Sequence, residues 1–391
     1  MTTAPAPPQL FATTREVEAT DDLLARIDAS GFAWLHHDTR IVANGVAARV
    51  AVDDVHDLLA SITVDDEVEL PAVGPLAVGA LPFDPVVPGE LVIPSIVVAH
   101  VDGRAFETRI GDGEASRSPS SAPTRFVVDA TRSPSHWRAM VERALESIDA
   151  GGIDKVVLAR EVVIEGDAPF DVGAIVRRLT TQQPGSFVYA SEGLVGASPE
   201  LLARRVGDRV ESRPMAGTTV VDGDAASLRA LAESVKDQRE HRYVVDAITE
   251  ALEPVCTELE IGVIPEIAVF GHVAHLATPF RGRLHAPAPS ALALARLLHP
   301  TPAVGGTPTM AAVEAIRELE GFDRGRYAGP VGWVDARGDG EWAIALRGAE
   351  IDGSRARLVA GAGIVAGSDP DAEWAETQAK FEPMLRALVR P

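Results

Sequence analysis

The chain has 391 residues, enough for one large domain or two ordinary ones with a sizeable core. Its 57 Asp and Glu outnumber 36 Lys and Arg, giving a formal charge of −21, and the cations are scattered, which excludes a basic track for nucleic acid or an anionic membrane. One cysteine, Cys256, excludes an internal disulfide and a thiolate metal cage, and with no leader-like N-terminus and no apolar run near 18 residues the chain reads as cytosolic.

In chain order, residues 1–125 alternate short helical and apolar strand-like runs, such as 91–101 (LVIPSIVVAHV), and hold no chemical constellation. They read as a β-leaning scaffold, closed by a polar loop or linker over 111–124 (GDGEASRSPSSAPT). Beyond it, Trp137, Met140, Val141, Ala144, Leu145 and Ile148 follow helical spacing, with Ser133-Pro134 as a start signal and Gly151 as the stop. The β-branched run 155–164 (KVVLAREVVI) then predicts a strand that begins at Lys155.

Residues 225–252 predict one long helix whose apolar stripe is Leu228, Leu231, Val235, Val245, Ile248 and Leu252. Asp237 and Glu240 lie off that stripe at i and i+3. His272 and His275, in the strand-like GHVAHLATP, would point apart, and with no third ligand near them they read as core or hydrogen-bonding histidines rather than a zinc site. The Pro/Gly-dense segment 297–310 (LLHPTPAVGGTPTM) reads as a rigid loop shaping a pocket.

Further on, 342–351 (WAIALRGAEI) predicts a strand with Arg347 on the same face as Ala343 and Ala345, a guanidinium over small residues where a carboxylate can dock bidentately. Gly361 and Gly363, at i and i+2, strip one strand face so that its backbone can approach a ligand. The last predicted helix, 371–388, repeats the acidic spacing in Glu373 and Glu376, with Lys380 one turn beyond. Each acidic pair alone reads as a solvated face or, for Glu376 and Lys380, as an ordinary i,i+4 ion pair. Two such faces together suit a hard, oxygen-preferring cation such as Mg²⁺, which takes few direct carboxylates. From residue types and spacing, then, the chain reads as an enzyme for a small carboxylate that uses Mg²⁺.

Ten segments sharpen this reading because they occur in a fixed order: IDKVVLAREV, GASPELL, SRPMAGTT, SVKDQREH, HLATPFRG, LHPTPAVGGTP, RYAGPVGW, IALRGAEI, AGAGIV and EWAETQAK. Over residues 126–388 the chain resembles the chorismate-binding enzymes, and among them the isochorismate synthases. The resemblance implies an α+β fold, a single domain over 1–391 in which antiparallel sheets pack face to face with helices outside, residues 126–388 being the catalytic portion. It implies the reaction in which water attacks chorismate at C2 and the C4 hydroxyl leaves, with Lys155 as base and Glu200 as acid. Glu240 and Glu376 would hold Mg²⁺ directly, and Asp237 and Glu373 through water.

The same resemblance places Arg347 and Tyr327 on the enolpyruvyl carboxylate, backbone amides near Gly361 and Gly363 and the Lys380 ammonium around the substrate's two acids, and Gly217, Thr218, His275 and Ala303 in the pocket. It implies a monomer with no glutaminase subunit, feeding siderophore, salicylate or menaquinone biosynthesis. Salicylate synthases share these residues and go on to expel pyruvate; the aminating relatives lack a lysine at the position of Lys155; a non-catalytic metal-binding protein would not need Lys155 and Glu200 together.

Overall fold

The computed structural model describes residues 10–19, 23–27, 30–65, 68, 70–111, 122–221 and 225–389. The predicted linker over 111–124 lies mostly outside these residues. Among them the strands form one sheet of thirteen, one of nine and one of three, and eight α-helices surround them. The helices are α1 (Val55–Ser61), α2 (Pro134–Asp149), α3 (Val172–Gln182), α4 (Ala225–Glu233), α5 (Val235–Leu252), α6 (Ala291–Leu298), α7 (Thr309–Glu320) and α8 (Pro370–Val389).

The described strands before residue 111 pair into the same sheets as later ones. Phe32–His36, Thr39–Asn44, Ile96–Val101, Arg104–Ile110 and Phe11–Val17 continue the large sheet beyond Phe187–Ser191, and Leu76–Ala80 pairs with Pro330–Asp335 in the nine-stranded one. Pairing is antiparallel apart from Phe11–Val17 against Thr63–Asp65. The two large sheets face each other across a core of Trp34, Phe106, Phe187 and Tyr189 from one and Val78, Val331, Trp333 and Ala343 from the other. Helices α3 and α8 cover another layer, packing Ile175, Leu179, Phe381 and Met384 over the large sheet.

The strand Lys155–Gly166 and helix α2 stand where the sequence predicts them, and Ser133 caps α2 by accepting from the His136 N–H. Two predicted elements break. The helix over 225–252 is interrupted at Ser234, whose extended backbone ends α4 and whose hydroxyl accepts from the Asp237 N–H to start α5. The strand over 342–351 breaks at Ala345–Arg347, where Arg347 takes a left-handed φ of 50°, so it does not share a strand face with Ala343 and Ala345. The strand-like segment around His275 becomes the centre of a separate sheet of three, Met215–Val220, Val273–Ala277 and Glu266–Phe270, which no sequence pattern announces.

The break at Arg347 has a structural cause. Gly340–Ile344 belongs to the nine-stranded sheet and Gly348–Asp352 to the thirteen-stranded one. Its antiparallel neighbour does the same in reverse: Leu194–Ser198 lies in the large sheet, Leu201–Val206 in the other, with Pro199-Glu200 at the corner. The two corners are tied by the Ile344 N–H donating to the Glu200 carbonyl (3.2 Å) and the Ala197 N–H to the Arg347 carbonyl (3.3 Å). The seam between the sheets therefore presents Glu200 and Arg347 side by side.

Candidate active site

A cleft of about 710 Å³, open mouth included, lies at this seam. Twelve of the fifteen predicted site residues line it: Glu200, Gly217, Thr218, Glu240, His275, Ala303, Tyr327, Arg347, Gly361, Gly363, Glu376 and Lys380. Residues from both sheets, from the small sheet and from α5 and α8 thus meet in one place. Lys155, Asp237 and Glu373 stand just outside the lining.

Lys155 is completely buried, with its ammonium 3.0 Å from Glu240 Oε1, so Glu240 stands between it and the cleft. The pair is close but poorly aligned, and Lys155 Nζ has no well-formed hydrogen bond among the described residues. Gly363 makes room for both groups: a Cβ there would run into the Glu240 carboxylate and lie 3.2 Å from Lys155 Cε. Beyond Leu358 the strand Arg355–Val365 has lost its Gly348–Asp352 neighbour, which leaves the backbone around Gly361 beside the cleft.

Burial pushes the Glu200 carboxyl up to about 8, against the Met215 N–H that donates to it and the charges of Lys155, Lys380 and Arg347. It is a protonated acid at neutral pH. His275 is driven the other way, well below its ordinary value, by burial and then by the Arg347 and Lys380 charges. Its neutral ring accepts from Arg347 at Nε2 and, with the proton on Nδ1, donates to the Gly217 carbonyl (3.1 Å). Arg347 is lowered to about 10 by burial, and its Nη1 has no partner among the described residues, a buried cationic donor suited to a carboxylate.

Three carboxylates on α5 and α8 each meet a lysine. Glu240 faces Lys155, Glu376 accepts from Lys380 (2.7 Å), and the nearly buried Glu373 accepts from Lys236 (2.7 Å). Lys380 also donates to the Gly361 carbonyl (2.9 Å). Burial opposes the charge of Glu240, but Lys155, followed by Lys236 and Lys380, holds its carboxyl below the ordinary value. Burial and then the like charge of Glu376 push Glu373 up, against the pull of Lys236. Asp237 lies against Gly217, where a Cβ would come within 2.9 Å of its own Cβ.

No three His, Cys, Asp or Glu side chains among the described residues are already drawn together as metal ligands. The donor chemistry nevertheless fits Mg²⁺: oxygen only, from two helices, with the mutual repulsion of Glu373 and Glu376 asking for a cation.

Two features escaped the sequence. Lys236, four residues before Glu240 on α5, shares its helical face, and that spacing was the available signal. Arg324 and Glu320 form a buried pair behind the site: Arg324 donates to Val157 O (2.7 Å) and Val304 O (2.9 Å), and Glu320 accepts the Ala159 N–H (2.6 Å). They tie the Lys155 strand to the loop carrying Ala303.

A family model described as chorismate binding enzyme matches residues 97–389. The chain is a chorismate-binding enzyme. It is 40% identical over 326 residues to the isochorismate synthase EntC of Escherichia coli K12, covering 80% of this chain and 81% of that one. Its fold is similar to the crystal structure of DhbC from Bacillus anthracis, with 33% identity, TM-score 0.81 and coverage of 94% and 99%. It is similar also to MenF, the menaquinone-specific isochorismate synthase of Escherichia coli, with 25% identity, TM-score 0.82 and coverage of 100% and 96%. These likenesses run through both sheets of this chorismate-binding enzyme, so the mixing of early and late strands belongs to the fold of the family.

Proposed function

We propose that this chain is an isochorismate synthase, converting chorismate to isochorismate with Mg²⁺ and acting as a monomer without a glutaminase subunit. Residues 126–388 carry the chemistry and 1–125 complete the two sheets that hold it. The observation that carries the proposal is the pairing of opposite groups at one seam: a neutral buried acid, Glu200, lining a cleft whose other donors, Arg347 and Lys380, are cationic, and a buried lysine, Lys155, behind Glu240 in its wall.

Exchange of one hydroxyl for another across an allylic system needs a base to take a proton from water at C2 and an acid to give one to the C4 hydroxyl as it leaves. Lys155 serves as base, and Glu200 as acid. Lys155 takes that proton as a free amine, so turnover leaves Lys155 an ammonium and Glu200 a carboxylate, and proton exchange with solvent returns the amine and the acid. Arg347 and Tyr327 take the enolpyruvyl carboxylate, with the free Nη1 of Arg347 as the strongest donor. Backbone groups at Gly361 and Gly363 and the Lys380 ammonium surround the acids of the substrate, while Gly217, Thr218, His275 and Ala303 shape the pocket around the ring. His275, neutral and anchored at both nitrogens, orients Arg347.

Glu240 and Glu376 would hold Mg²⁺ directly, with Asp237 and Glu373 acting through water. When bound, the ion supplies charge that draws electron density from the ring through the C1 carboxylate. The test is to incubate the protein with chorismate and Mg²⁺ and separate the products by chromatography over time. Isochorismate without pyruvate is the expected result; salicylate with pyruvate, or turnover indifferent to Mg²⁺, would overturn it.

A further inference from the structure

Three ammonium groups meet three of the four carboxylates of the proposed metal site, Asp237 being the fourth, and the three lysines are not equivalent. Lys155 is fully buried, and Lys380 is anchored twice, to Glu376 and to the Gly361 carbonyl. Lys236 is tied by its single hydrogen bond to Glu373, its side chain is 36% exposed, and Glu373 is 3% exposed. Its ammonium also feels Glu240 and Glu376, so it stands among the carboxylates proposed to receive the ion. A divalent cation entering beside three ammonium groups and four carboxylates would leave one positive charge in excess, and only the flexible, solvent-edge lysine can withdraw without dismantling the substrate pocket.

We propose that Lys236 is an internal counter-cation that holds the carboxylates together in the metal-free enzyme and swings to solvent as the divalent ion takes its place. This rests on the metal reading given above. In the substrate-free protein the exchange makes the ion compete with an ammonium already in position, so metal binding is weaker than the carboxylates alone would give. The carboxylates are in turn kept from repelling one another before the ion arrives, and the site stays assembled.

The test is Mn²⁺ binding to the substrate-free protein, read from the paramagnetic resonance signal of free Mn²⁺, since that ion shares the oxygen preference of Mg²⁺. Lys236→Met should bind Mn²⁺ roughly tenfold more tightly than the unchanged protein, about what one charged hydrogen bond represents, whereas Lys236→Arg, which keeps the charge, should not. Equal affinity in the unchanged protein and the Met variant would overturn the exchange alone. No Mn²⁺ bound by either would overturn the metal site beneath it. A second measurement needs no variant: acetylation of Lys236, followed by peptide mass spectrometry, should speed up several-fold when Mn²⁺ is added, and a rate unmoved by a saturating ion would contradict its release.

Discussion

At the scale of single residues, burial decides protonation and protonation decides role. Glu200 sits on a sheet corner with one weak N–H donor, the Met215 amide at 3.3 Å, so nothing stabilises its anion enough to offset desolvation, and it stays protonated up to about pH 8. If Glu200 is the acid as proposed, its protonated form is the active one, and kcat/KM should fall as pH rises through that value. Glu200→Gln keeps the shape and removes the proton, and is expected to lose on the order of 10²–10⁴ in kcat together with the basic limb of the profile. A variant that retained normal turnover would remove Glu200 as the acid.

Among the residues, type and spacing made the carboxylates of α5 and α8 visible. They did not separate the functional set from the surface, because an i,i+3 acidic pair looks the same whether it faces solvent or a cation. Glu200 and Lys155 owe their assignment to the family resemblance. No local pattern announces that a carboxyl will be desolvated by a strand distant in the chain.

At the scale of elements, the readable features were those set by local chemistry. The cap of α2 and the β-branched run of the Lys155 strand are local and stood where expected. The break at Ser234 is also written in capping chemistry, since a serine three residues before an acidic first turn is a start signal within a longer apolar period. The break at Arg347 is not local: it arises because two neighbouring strands change sheets together, and a hydrophobic pattern does not record the sheet to which a strand belongs.

Two element-scale outcomes follow from the packing behind the cleft. Gly363→Ala would drive a methyl group into the Glu240 carboxylate, and a displacement of this kind should lower kcat/KM on the order of 10²-fold while thermal melting stays cooperative. Activity unchanged in that variant would mean that Glu240 need not sit over this strand. Arg324→Met leaves Glu320, fully buried and bonded to the Ala159 N–H, without its cation, and should cost about 3–5 kcal/mol in urea denaturation. A loss below about 1 kcal/mol would show that the pair contributes little to holding the Lys155 strand against the Ala303 loop.

For the whole molecule, a chain of charge −21 binds a dianion by concentrating its useful cations at one seam. Two sheets built from interleaved early and late strands make that seam, and the corners where paired strands cross between sheets place the acid and the guanidinium together. The first third carries no local sign of this partnership, since its strands show only apolar alternation and the two that join it to the later chain, Phe32–His36 and Leu76–Ala80, pair with strands more than 100 residues away. The central claim is that water enters at C2 as the C4 hydroxyl departs, and isotope labelling tests it most directly. Run with chorismate and Mg²⁺ in H₂¹⁸O, the protein should yield isochorismate carrying one ¹⁸O, located at C2 by fragmentation mass spectrometry. Unlabelled isochorismate, in which the hydroxyl has moved within the molecule, would contradict it.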